Sequence, residues 1–142
     1  MDDFIQVPTE AQGYRASAQA MLDGARPLIR VKPIPTLALT LLCGHGTESG
    51  LKALLAETGI SSELLKKSPY GHNLINLWNK AASLGVKLPS PRPAWVEHLD
   101  RVHGHKYKLR YPLGFHAIVL PSQTDMLERL EQVASLANSI GP

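Results

Sequence analysis

Cysteine is almost absent: Cys43 stands alone, so no disulfide can form within the chain. A lone cysteine inside an apolar run is by default a small buried hydrophobe. Its scarcity fits a reducing compartment and points to the cytoplasm. Long hydrophobic runs are also missing. The most apolar stretch, Leu37 to Cys43, falls far short of the ~20 residues that span a bilayer, so no membrane insertion is expected. The chain opens Met1-Asp2-Asp3, acidic where a secretory leader is basic. There is no internal repeat and no low-complexity tract. Phosphate-loop, dinucleotide-binding glycine and nucleophile-elbow patterns are absent too, which sets aside the best-marked nucleotide and hydrolase classes.

What remains is ordinary globular material. A length of 142 residues with 44% hydrophobic content suits one domain over residues 1–142, with room for a sizeable core. The net charge is only +3, but it is unevenly spread. Gly59 to Leu120 carries nine Lys or Arg against three acids, Glu63, Glu97 and Asp100. Arg101 to His116 holds four basic residues, three histidines and no acid. From Pro121 onward the balance turns acidic. A basic middle suits an anionic partner, and it equally suits a plain solvated face.

The periodicity is helical throughout and predicts an all-α bundle of five or six helices. Thr9 caps a first helix over Pro8 to Gly24, with Gly24 as its stop. A second helix runs from Pro35 to Thr58, and its first half is apolar nearly all round, so it should be central. Gly44, Gly46 and Gly50 lie inside it, each costing up to ~1 kcal/mol against Ala. They mark either close approach of a neighbouring helix or a break, and close packing is the expected explanation. Ser61 or Ser62 caps a short third helix ending near Lys67. A fourth covers His72 to Leu84, a fifth Pro93 to Gly104, and a last one starts at Thr124 and ends near Ser139. Lys106 to Phe115 alternates like a strand, but Pro112 and Gly114 make it an extended loop.

Several polar residues sit where chemistry is possible. His45, Glu48 and Lys52 stand at i, i+3 and i+7 and share one side of the central helix. Glu48 precedes Lys52 by four residues, the favourable order for a pair. That reads either as a structural ion pair or as a polar cluster built into a buried helix. His72, beside Asn73 at a helix start, is placed either to cap or to meet an anion. His98, His103, His105 and His116 gather in the basic half near Glu97 and Asp100. Their spacing matches no standard zinc pattern, so no metal is expected. Cys43 has no electropositive neighbour in sequence and is not expected to act as a nucleophile.

Two stretches resemble a known family. They are Gly44-His45-Gly46-Thr47-Glu48-Ser49-Gly50-Leu51-Lys52, and Gly71-His72-Asn73-Leu74-Ile75-Asn76-Leu77-Trp78. With Arg110-Tyr111-Pro112, they resemble bacterial HEPN (higher eukaryote and prokaryote nucleotide-binding) domains. The resemblance implies an up-and-down helical bundle, working as a homodimer and needing no cofactor. Many such proteins are metal-independent ribonucleases of toxin or defence systems. Others are non-catalytic modules that bind nucleotides, pair with a nucleotidyltransferase or form part of a toxin–antitoxin pair. Catalytic members use an Arg followed a few residues later by His, and both Arg92–His98 and Arg110–His116 have that spacing. Proline flanks Arg92 and interrupts the second pair, unlike the usual helix-borne motif. The resemblance thus implies phosphate contact by Arg110 and proton transfer by His116 or His72. His45, Glu48, Lys52, Asn73 and Tyr111 would organise or bind, with RNA or a nucleotide as ligand. The alternative is a non-catalytic dimeric module whose partner is another protein. A bundle that binds a small molecule is a third possibility.

Overall fold

A computed structural model of the chain describes residues 7–104 and 122–139. Arg110, Tyr111 and His116, with His105 and the loop expected over 106–115, lie outside the described residues. Those described form an all-α bundle of six helices and contain no strand. The helices are α1 (Glu10–Leu28), α2 (Thr36–Glu57), α3 (Ser62–Leu65), α4 (Leu74–Ser83), α5 (Ala94–His103) and α6 (Gln123–Ser139). None of them is long and apolar enough to cross a membrane.

The apolar half of the second helix has the consequence its composition predicts. Helix α2 is central and packs against α1, α4, α5 and α6. Leu39, Leu51, Leu54 and Leu55 on it are fully buried, each worth roughly 1.5–3 kcal/mol of transfer free energy. The glycines mark close approach and not a break. A Cβ on Gly46 would lie 2.6 Å from Leu130 of α6, and one on Gly50 would lie 2.5 Å from Val133. These two positions let α6 rest almost on the α2 backbone. The helix then ends in a Schellman turn: Gly59 has φ +98°, and the Ile60 N–H returns to the Leu55 carbonyl at 3.2 Å.

Helix ends moved by small amounts for identifiable reasons. Thr9 does cap α1, exchanging hydrogen bonds with Gln12 at 3.1 and 2.8 Å. Gly24 does not stop it. A Cβ there would sit 3.6 Å from Leu42, so this glycine is a contact with α2, and the helix continues through buried Ala25 to Leu28. Asn73, not His72, is the cap of α4, accepting from the Asn76 N–H at 2.8 Å. In α6 the capping hydroxyl belongs to Ser122, which accepts from Asp125, rather than to Thr124.

Candidate functional site

The polar cluster forms where the middle of α2 meets the start of α4 and the end of α5. Glu48 is its centre. One carboxylate oxygen, Oε1, lies 2.7 Å from His72 Nδ1 and 2.9 Å from His103 Nε2. The other, Oε2, accepts from the Lys52 ammonium at 3.1 Å. The Lys52 and His103 side chains are 6% and 2% exposed and Glu48 is 10%, whereas His72 is 39% exposed. The cluster therefore reaches the surface through His72. His45, one turn before Glu48, meets the His103 ring edge-on with centroids 5.0 Å apart.

Electrostatics fix the protons. Burial on its own raises the Glu48 carboxyl. The hydrogen bond from His103, the Lys52 ammonium and the hydrogen bond from His72 together outweigh it, holding the group at about 2 against an ordinary 4.5. An ionised carboxylate only accepts, so His72 Nδ1 and His103 Nε2 must both be N–H donors to it. In neutral His72 the remaining lone pair is then on Nε2. This is the arrangement by which a carboxylate sets the tautomer of an acid–base histidine.

Local folding places these groups. The first N–H groups of α4 have no partners inside the helix. Asn73 takes one, and the Asp100 carboxylate of α5 takes that of Leu74 at 2.7 Å. Burial pushes Asp100 above the ordinary carboxylate range, opposed by the N–H groups of Leu74 and Ile75. This clamp ties α5 to the start of α4, and with it His103 to His72. Close contact at Gly44 completes the placement, since a Cβ there would lie 2.6 Å from His103 Nδ1.

One ligand atom from each of Glu48, His72 and His103 lies within 4.8 Å of the others, so the geometry admits a cation. The donor chemistry argues against one. Both imidazole nitrogens already carry protons towards Glu48, and the buried Lys52 ammonium already balances the carboxylate. A dication would add +2 beside that ammonium in a site shielded from water. Glu48 is thus already paired with Lys52 and hydrogen-bonded by both histidines, and a cation there would have to displace those contacts.

Of the residues singled out from sequence, His45, Glu48, Lys52 and His72 converge here, while the Asn73 side chain caps α4. Arg92 holds Glu97 and Asn79, each at 2.8 Å. In the sequence His103 stands in a set with His98, His105 and His116. Among the described residues its partners are instead Glu48 and the rings of His45 and His72. Its one signal was position, a histidine in the last turn of a helix whose apolar face is buried. Cys43 is fully buried, and burial pushes its thiol up to about 12. Native protein is thus expected to resist thiol alkylation at pH 8, with full labelling only after denaturation. Labelling of the native protein would show an opening of the core at α2.

No protein-family model, curated protein or solved structure matches the chain.

Proposed function

We propose that the chain is a HEPN-like bundle that binds RNA or a nucleotide and cleaves RNA by metal-independent acid–base chemistry at His72. One observation carries this reading. The two stretches that resemble the family meet in space at the 2.7 Å hydrogen bond between Glu48 and His72, where the cluster opens to solvent. In this reaction His72 Nε2 takes the proton of a ribose 2′-hydroxyl. The freed oxygen attacks the neighbouring phosphorus, forming a 2′,3′-cyclic phosphate. The 5′-oxygen leaves with a proton supplied by His116, while Arg110 holds the phosphate. Glu48 fixes the tautomer of His72, and Lys52 balances Glu48. The reading includes a homodimer, as the resemblance implies.

Purified protein is expected to cleave RNA in the presence of a chelator and to leave 2′,3′-cyclic phosphate ends. Loss of a positioned acid–base group costs roughly 10²–10⁴-fold in rate, so His72→Ala should fall by that factor. Chelator-sensitive cleavage, or an unaltered rate in His72→Ala, defeats the assignment.

A second reading has its own support. Three of the four side chains in the cluster are no more than 10% exposed, and Lys52 is paired with Glu48. That suits a structural network in a non-catalytic module bound to another protein. Under this reading the protein binds no RNA at physiological salt. Under the first it does, and its affinity falls steeply as salt rises.

A further inference from the structure

A second cavity is built from residues the His72 cluster does not use. It is a cleft of about 1070 Å³ between α6, the connection that precedes α5, and the end of α1. Both tryptophans of the chain line it, Trp78 and Trp95, meeting edge to face with centroids 5.7 Å apart. Trp78 is buried in the wall, and Trp95 is partly exposed. Two N–H groups on lining residues, Trp95 Nε1 and Arg129 Nε, are shut off from water inside the wall, so the cleft presents ring face and not these donors.

The charges point the same way. Arg26 is held by Glu131 and Asp23 at 3.3 and 3.4 Å. Among the described residues Arg129 donates only to the neutral Gln132 side chain, at 3.0 Å, and no acid pairs with it or with Lys87. Among the described residues Glu128 is the one unpaired acid on the lining, and it is exposed. The cleft therefore offers an indole face, apolar contact from Leu88 and Leu136, and surplus positive charge. Such a combination selects a flat ring that carries an anionic acceptor.

We propose that this cleft binds a small planar aromatic anion, its ring against Trp95 and its charged group on Arg129 and Lys87. The anionic group can be a carboxylate or a phosphate monoester. The proposal does not depend on the reaction at His72.

The two indole N–H signals of the ¹⁵N-labelled full chain report directly on the cleft. Titration with 1-naphthoate tests the carboxylate source, and titration with adenosine monophosphate tests the phosphate source. At least one is expected to shift the Trp95 signal in a saturable way, and whichever does identifies the source. The uncharged 1-naphthylmethanol and adenosine should bind at least tenfold more weakly. Arg129→Met with Lys87→Met should weaken the anion by at least tenfold. Trp95→Phe, which shrinks the ring face, should weaken it severalfold. The proposal is overturned by no saturable shift with either anion at millimolar concentration. Equal response to the uncharged partners, or undiminished binding in the double variant with its fold intact, also overturns it.

Discussion

Glu48→Ala is expected to lower folding stability by roughly 3–5 kcal/mol, the usual result of removing one partner from a buried ion pair. Lys52 is 6% exposed, and Glu48 is its hydrogen-bond and ion-pair partner. Without Glu48 an ammonium is left in the interior and two imidazole N–H groups lose their shared acceptor. In a chain of 142 residues, that corresponds to a fall of about 10 °C or more in Tm. The cause can be separated from simple loss of volume. Glu48→Leu combined with Lys52→Met removes both charges, and it should recover much of the loss, because apolar replacement of a whole buried pair is often neutral. If the double variant is as unstable as Glu48→Ala, the unpaired ammonium is not the reason.

The same pair has a pH signature. Folding lowers the Glu48 carboxyl from an ordinary 4.5 to about 2. A lowered carboxyl stabilises the fold above its unfolded value, and that stability is lost as pH falls towards the folded value. The network should therefore contribute fully at neutral pH and fade between about 4.5 and about 2, a total of order 3 kcal/mol. Urea unfolding of the wild type and of Glu48→Gln at pH 6 and pH 3 reads it. The stability gap between the two proteins should narrow at the lower pH. A gap that stays constant or widens contradicts the assigned ionisation.

The sequence reached much of this arrangement because much of it is local. Apolar residues all round the first half of α2 made it central wherever the other helices lay. Glu48 and Lys52 are one turn apart, so their pairing follows from helix geometry alone. Other features depended on residues far apart in the chain. His103 reaches Glu48 across 55 positions, and no periodicity in α5 distinguishes a histidine that turns inwards from one that caps a helix end. Gly24 has the composition of a stop signal, and only the presence of Leu42 opposite makes it a contact instead. Helix α4 starts at Leu74, two residues after His72, where Asp100 from a different helix satisfies the Leu74 N–H. Local propensity places elements, and long-range partners decide their ends and which polar groups meet.

Gly44→Ala tests that long-range placement most sharply, since propensity and packing predict opposite signs. Propensity alone favours alanine inside a helix by about 1 kcal/mol. At Gly13 of α1 nothing lies within 4 Å of an added Cβ, so Gly13→Ala should realise that gain and stabilise the protein. At Gly44 the new methyl carbon would lie 2.6 Å from His103 Nδ1 and 3.0 Å from Cγ. The ring cannot swing aside cheaply, because it is buried and its Nε2 is held by Glu48 at 2.9 Å. Overpacking of roughly 1–3 kcal/mol adds to a weakened charge-assisted hydrogen bond of roughly 1.5–3 kcal/mol. The net expectation is a loss of about 2 kcal/mol or more. Gly50→Ala should be similarly costly, because the atom it meets is Val133 Cγ1 at 2.5 Å, and a β-branched side chain is stiff at χ1. Gly46→Ala should cost less, since the nearest atoms are the methyl ends of Leu130. A double-mutant cycle isolates the contact: in a His103→Ala background the ring is gone, and Gly44→Ala should then approach the gain seen at Gly13. If Gly44→Ala is equally harmful with and without His103, the glycine is needed for the backbone of α2 and not to seat the histidine against Glu48.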